Sequence, residues 1–138
     1  MSLKLHAELV SRSQKEPFGR LLDLEAVQVR PGSAVVRMRT RPEVENMFGA
    51  THGGALFGLI DEAFQLASNS HGVLAVALNV SITYVAAPTP GTTLEATADE
   101  IHRTGRTASY LCEIREKDGG KLIATAQALA YRTGKEII

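Results

Sequence analysis

The spacing of hydrophobic residues changes along the chain, and each spacing predicts a different element. Between Ala55 and Ala67, apolar residues recur three and four positions apart, which predicts one amphipathic helix of about four to five turns that begins near Gly53. On a helical wheel the apolar stripe centres near Ile60. From Leu74 to Tyr84 the period shortens to two, which predicts a long central strand.

Turn signals divide the rest of the chain. Pro31-Gly32 separates an irregular strand over Leu21 to Arg30 from a second strand over Ala34 to Arg39, and this hairpin precedes the helix. Residues 1 to 20 are expected to be an N-terminal extension with a short helix that ends before Pro17. Three further strands are predicted after the long one, over Thr92 to His102, Thr107 to Glu116 and Lys121 to Arg132.

This order of elements predicts an α+β fold. One helix cannot cover both faces of a sheet, so a curved antiparallel sheet wrapped around one long central helix is the economical arrangement. The length of 138 residues suits a single domain over residues 1–138. The exposed edge strands and the outer face of the sheet then favour a homodimer, with the long strand from Leu74 to Val85 as the natural edge for continuing the sheet. We expect this dimer to pair further into a dimer of dimers.

Composition narrows the function. Fifteen basic and fifteen acidic residues give a formal charge of zero, which argues against nucleic acid or a membrane surface as a partner. We expect a cytoplasmic protein, because no N-terminal signal and no long apolar run is present. The single cysteine, Cys112, is expected to be a small core residue. No histidine pair has the spacing of metal ligands, so no metal is expected.

The start of the predicted helix carries the candidate chemistry. The first amides of a helix have no intrahelical partner, and Gly53 and Gly54 let a carbonyl group come close to them. Asp61 lies beside Phe57 at one edge of the apolar stripe, where partial burial raises a carboxyl pKa. Glu62 lies at the other edge, so the wheel alone does not choose between the two acids.

Each of these residues can instead have a structural role. The glycines can serve tight packing alone, and Asp61 can be a solvated acid at the helix edge. Glu62 is expected to form a salt bridge or an oligomer contact, and it is the second candidate for the catalytic base. His52 can cap the helix or hold the loop, and a positioning role is favoured over direct acid–base chemistry.

The motif Asn46-x2-Gly49-x2-His52-Gly53-Gly54-x6-Asp61, with this order of elements, resembles the hotdog-fold acyl-CoA thioesterases of the PaaI-like family. The likeness covers roughly residues 17 to 133. It implies that Asp61 is the general base or nucleophile and that the Gly53 amide polarises the thioester carbonyl. It also implies that Asn46 and His52 orient substrate or water. Some relatives carry Ser or Thr where Ala77 aligns here.

The resemblance implies an acyl-CoA or aryl-CoA substrate, with coenzyme A as part of the substrate and no separate cofactor. Gly54 and Phe57 are then expected to contact the substrate. Arg103 and Arg106 flank a tight turn and can bind the phosphates of coenzyme A, although a solvated hairpin tip explains them equally well. A non-catalytic acyl-CoA-binding module and a hotdog dehydratase or hydratase are the alternative functions.

Overall fold

The computed structural model describes residues 2–138, so Met1 of the predicted extension lies outside them. Three α-helices, one short 3-10 helix (Pro42–Val44) and six strands follow one another in the chain. The helices are α1 (Ser2–Lys15), α2 (Pro17–Leu21) and α3 (Gly53–Asn69). The strands are β1 (Glu25–Arg30), β2 (Ser33–Arg39), β3 (Val73–Tyr84), β4 (Thr93–Arg103), β5 (Thr107–Glu116) and β6 (Leu122–Glu136). Within residues 2–138, no helix is long and apolar enough to cross a lipid bilayer.

All strand pairs are antiparallel, and the six strands form one sheet in the order β1-β2-β4-β5-β6-β3. The sheet curves around α3, whose fully buried face includes Leu59, Ile60 and Ala63. The strands present mostly alanines to this helix, and these small side chains allow helix and sheet to approach closely. The predicted α+β hotdog fold is therefore confirmed.

The sequence predicted that the long strand β3 is central and also that it offers the edge for continuing the sheet. The first prediction is wrong, because β3 lies at the edge of the sheet beside β6. A bulge at Leu78 interrupts its register with β6 and changes which residues face the helix. Before the bulge Ala75 is buried, and after it Val80 and Ile82 pack against the core. The remaining apolar residues of the first half are substantially exposed, with Val76 47% accessible. This strand therefore has an unpaired edge that is rich in apolar side chains.

The N-terminal segment is more regular than predicted. Helix α1 ends before Pro17 as expected, but Pro17 starts the additional short helix α2, so the first strand begins only at Glu25. The side chains of Leu5 and Leu9 are buried in the main core. Helix α1 is therefore an integral part of the packing around α3.

Candidate active site

His52 forms the N-cap of α3. Its Nδ1 atom accepts a hydrogen bond from the Gly54 N–H at 2.7 Å, and its carbonyl oxygen accepts from the amides of Ala55 and Leu56. Because Nδ1 accepts, the ring proton is on Nε2 in this arrangement. The capping geometry explains how His52 positions the helix, and it leaves the exposed Nε2 atom free to donate.

The two glycines at this helix start have different environments. The Gly54 N–H is occupied by His52, whereas the Gly53 N–H donates no hydrogen bond within residues 2–138. The Gly53 carbonyl accepts a hydrogen bond from the Tyr84 hydroxyl at 3.1 Å. A Cβ atom at Gly53 would lie 3.3 Å from the Tyr84 ring. Gly53 therefore carries the one amide of this pair that donates to no group within residues 2–138.

Asn46 shapes the loop that leads to the helix. Its side-chain oxygen accepts hydrogen bonds from the amides of Phe48 at 2.9 Å and Ala50 at 3.1 Å. Gly49 completes this tight loop at a φ of +81°, which favours glycine. The side-chain amino group of Asn46 donates to no group within residues 2–138. That amino group is the part of Asn46 that can contact a substrate or a water molecule.

Asp61 lies eight residues further along α3 and is half-buried. Burial, and after it the nearby carboxylate of Glu16, raise the pKa of the Asp61 carboxyl above its usual value. No hydrogen bond within residues 2–138 engages this carboxyl group. It faces a mostly apolar cavity of about 530 Å³ whose walls include Leu9, Phe64 and Ala77. Ala77 therefore lines the same cavity as Asp61 and brings no hydroxyl group to it.

Glu62 has a different position from the one expected. Its side chain is only 5% exposed and accepts hydrogen bonds from the Ser13 hydroxyl and from Gln65. It forms no salt bridge within residues 2–138, because the groups that contact it are an uncharged hydroxyl group on α1 and an uncharged amide on the next turn of α3. Burial and a hydrogen bond with Glu16 raise the pKa of Glu62 to about 8. Glu62 does not line the cavity, so the structure distinguishes it from Asp61.

The predicted substrate-contacting residue Phe57 is half-buried and does not line this cavity, where Phe64 is the aromatic residue. Arg103 and Arg106 are exposed at the β4–β5 turn. A third arginine, Arg132, reaches the same turn and donates to the Thr104 carbonyl at 2.9 Å. No group of three or more potential metal-binding side chains occurs within residues 2–138.

The arginines lie far from Gly53 within one chain. Thr107, next to the turn, is opposite Tyr131, which is opposite Val76 on β3. Gly53 contacts Tyr84, at the other end of β3. Eight residues of extended strand separate these two ends, or about 26 Å. A single chain therefore does not place these arginines beside the Gly53 amide.

Sequence reasoning did not assign site roles to Tyr84, Ser13 or Glu16. Tyr84 ends the alternating strand pattern, and its position in the sequence gives no sign that it contacts the start of the helix. Ser13 and Glu16 lie in the segment expected only to pack at an edge. Their contacts with α3 join residues more than forty positions apart, and only the folded chain reveals them.

Known proteins resemble this chain over most of its length. The thioesterase superfamily profile matches residues 48–123. The chain is 31% identical to the acyl-coenzyme A thioesterase PaaI of Escherichia coli, over 99% of this chain and 97% of that protein. The structure of that PaaI protein aligns with a TM-score of 0.89 at 30% identity, covering 98% of this chain and 96% of that one.

Two other relatives extend the comparison. A protein of Archaeoglobus fulgidus, classed provisionally as an esterase, is 43% identical over 84% of this chain and 75% of its own length. A hypothetical thioesterase of Streptococcus pneumoniae, whose crystal structure was determined with coenzyme A, has a TM-score of 0.77 at 27% identity, covering 82% of this chain and 90% of that one.

The chain belongs to the thioesterase superfamily and, within it, to the PaaI-like hotdog thioesterases. The predicted family is confirmed, as is the prediction that the protein is a thioesterase enzyme.

Proposed function

We propose that the protein hydrolyses acyl-CoA or aryl-CoA thioesters to a free acid and coenzyme A. One observation carries this proposal: α3 carries an amide at Gly53 that donates to no group within residues 2–138, and eight residues further on an unbonded, half-buried carboxylate at Asp61 that lines a mostly apolar cavity. Thioester hydrolysis needs these two groups, a donor for the developing oxyanion and a base for water. The streptococcal relative determined with coenzyme A supports the substrate class.

In the proposed reaction Asp61 takes a proton from water as the water oxygen attacks the thioester carbon. The Gly53 N–H donates to the carbonyl oxygen as it becomes an oxyanion, and the positive end of the helix dipole adds to this stabilisation. The carbon–sulfur bond then breaks, and coenzyme A leaves as a thiol with the proton from Asp61. Direct attack by the Asp61 carboxylate, followed by hydrolysis of the anhydride, is the nucleophilic form of the same assignment.

We infer that each active site combines residues of two subunits. Eight residues of helix place Asp61 about 12 Å along the axis from Gly53. The N–H groups of the first turn point out of the N-terminal end of the helix, away from Asp61. A carbonyl group held by the Gly53 amide, and a water molecule in contact with it, therefore lie beyond that end. Asp61 of the same helix is therefore too far along the axis to activate that water directly. The Asp61 carboxylate of a second subunit can meet this requirement.

The unpaired edge of β3 provides the contact for that second subunit. Antiparallel pairing of two copies of β3 about a two-fold axis would continue the sheet and cover the apolar residues of its first half. It would also bring the β4–β5 turn of one subunit, with Arg103 and Arg106, towards the Gly53 end of the other. The arrangement thus unites the oxyanion donor, the base and the candidate phosphate-binding groups.

The protein is accordingly expected to be at least a dimer. Light scattering at micromolar concentration should give at least twice the chain mass of 14.8 kDa. A chain that scatters as a monomer while retaining full activity would contradict both the dimer and the shared site.

Removal of Arg103 and Arg106 tests whether coenzyme A is the recognised group. The Arg103→Ala, Arg106→Ala double variant should raise KM for acyl-CoA by about tenfold or more, because each exposed charge-assisted contact contributes on the order of 1 kcal/mol. Hydrolysis of an N-acetylcysteamine thioester, which lacks the phosphates, should be nearly unchanged. The substitution Arg39→Ala, on β2 opposite Thr93 at the far end of β4, is the control for the loss of one exposed guanidinium. Equal losses on both substrates would mean that the turn has a structural role only.

Release of free thiol from a panel of acyl-CoAs and aryl-CoAs tests the proposed activity. Hydrolysis of at least one member with a measurable kcat is the expected result. Saturable binding without thiol release would favour the non-catalytic binding module. Hydration of an enoyl-CoA without thiol release would favour a hydratase.

A further inference from the structure

A polar cluster joins α1 to the helix that carries Asp61. In it Ser13 and Glu62 are buried, Glu16 is half-buried and Gln65 is exposed. The Ser13 hydroxyl donates a hydrogen bond to Oε2 of Glu62. The Gln65 side-chain amide bridges two carboxyl groups, donating to Oε2 of Glu16 at 2.8 Å and to Oε1 of Glu62 at 3.2 Å. Two acidic side chains, one from the link between α1 and α2 and one from α3, are therefore held close together through one amide.

The charges around this pair do not neutralise it. Within residues 2–138, no lysine or arginine forms a salt bridge with Glu16 or Glu62, and the nearest titratable group on α3 is the acidic Asp61. Arg12 lines the adjacent cavity from α1, but it pairs with Glu8 at 2.8 Å. The Oε1 atom of Glu16 is buried and accepts no hydrogen bond from residues 2–138. Two adjacent carboxylates without a cation are costly when both are ionised, so the pair has a strong tendency to keep one proton.

We propose that Glu16 and Glu62 hold one proton between them, with Glu62 as the donor, and that the charge left on Glu16 maintains Asp61 as an effective base. This inference rests on the proposed role of Asp61 in thioester hydrolysis. Both glutamates are positioning residues, because they act on the reaction through Asp61. The proton on Glu62 gives the otherwise unpartnered Oε1 atom of Glu16 a donor.

The directions of the pKa shifts of Glu62 and Asp61 agree with this geometry. Burial, followed by the hydrogen bond with Glu16, raises the pKa of Glu62 to about 8, so Glu62 is mainly protonated at neutral pH. Glu16 and Asp61 line the same cavity, and burial, followed by the Glu16 charge, raises the pKa of Asp61. A general base works best when its pKa lies close to the operating pH, so a carboxylate with a raised pKa accepts a proton more effectively.

The two partners come from different parts of the chain. Glu62 lies inside the segment that matches the superfamily profile, residues 48–123, whereas Glu16 lies outside it. Through this pair the N-terminal segment does more than cover the core, because it sets the electrostatic environment of the proposed catalytic carboxylate.

The pH dependence of kcat/KM tests the inference in three single variants. Glu16→Gln should move the acid limb to lower pH by about half a unit, because removal of a neighbouring negative charge lowers the pKa of Asp61. Glu62→Gln imitates the protonated carboxyl group and should leave the acid limb in place. Glu25→Gln removes an exposed carboxylate on β1 and is the matched control, with no expected shift. An unmoved acid limb in Glu16→Gln, or equal shifts in Glu16→Gln and Glu25→Gln, would overturn the inference.

Thermal unfolding tests the shared proton without any catalytic assay. Folded Glu62 has a pKa of about 8, above its usual 4.5, so its contribution to stability is complete below pH 4.5 and decreases until about pH 8. The Tm of Glu62→Gln minus that of the unaltered protein should therefore increase as the pH rises through this window. A constant difference would contradict the shared proton.

The two tests separate failure of this inference from failure of the proposed function. If the unaltered protein released no thiol from any thioester, the proposed function would be wrong. The pair would then still be tested by Tm, and its effect on Asp61 by the NMR titration of the Asp61 carboxyl carbon in the same variants. A titration midpoint of Asp61 that is the same in the unaltered protein and in Glu16→Gln would contradict the effect on Asp61.

Discussion

Replacing Asp61 with asparagine should lower kcat by about 10²- to 10⁴-fold, because the amide has nearly the same shape as the carboxylate but cannot take a proton from water. The fold should not change, since no hydrogen bond within residues 2–138 depends on this carboxyl group. Steady-state thiol release gives kcat, and thermal unfolding with substrate-analogue binding shows that fold and affinity persist. Because the pKa of Asp61 is raised, activity should fall as the pH decreases through this pKa, which lies above the usual value for an aspartate.

Glu62→Gln is the matched control, because it makes the same chemical change one residue further along α3. Its kcat near neutral pH should stay close to that of the unaltered protein, since the carboxyl group of Glu62 is buried away from the cavity and already mainly protonated. A wild-type kcat in Asp61→Asn would remove Asp61 from the mechanism. A large loss in Glu62→Gln alone would transfer the role of the base to Glu62.

The local elements of the fold were predictable because their signals are local. The helix period identifies α3, and turn residues on both sides give β5 the bounds Thr107–Glu116 that the sequence predicted. The position of β3 in the strand order could not be predicted from such local signals. Strand order depends on pairing between distant segments, and the bulge at Leu78 interrupts an alternation that looks continuous in the sequence.

The candidate site shows the same division. The motif placed Gly53 at the start of α3 and Asp61 at its half-buried edge, because both positions follow from helix geometry. It did not show that His52 occupies the Gly54 amide and leaves the Gly53 amide free. Nor did it show the contact of Glu62 with α1, which joins residues that only the tertiary fold brings together.

The Gly53 amide can be removed with little disturbance of the helix. Gly53 is the first helical residue, where proline is well tolerated, and its N–H donates no hydrogen bond within residues 2–138. His52 already has the extended conformation that a following proline requires, with φ −64° and ψ 137°. Gly53→Pro should therefore retain the fold and lower kcat by about 10²- to 10³-fold, the usual loss for one oxyanion donor.

Gly53→Ala is the control for this substitution. Both variants place a Cβ atom close to the Tyr84 ring, but alanine keeps the N–H group. The difference in kcat between Gly53→Ala and Gly53→Pro therefore measures the amide itself, and circular dichroism with thermal unfolding checks the helix. Equal kcat values for the two variants would show that the Gly53 N–H does not stabilise the oxyanion.

Mixing two inactive variants tests whether each site combines two subunits. In a heterodimer of Asp61→Asn and Gly53→Pro, one site would receive the intact Asp61 and the intact Gly53, and the other would lack both. Random exchange at equal concentrations makes half of the dimers heterodimers with one intact site each, so activity should recover to about a quarter of the unaltered value. Exchange is followed by native mass spectrometry of chains that differ by a tag. Complete exchange without recovery would place both groups of each site in a single chain, and the 12 Å separation along α3 would then have to be bridged by the substrate or by water.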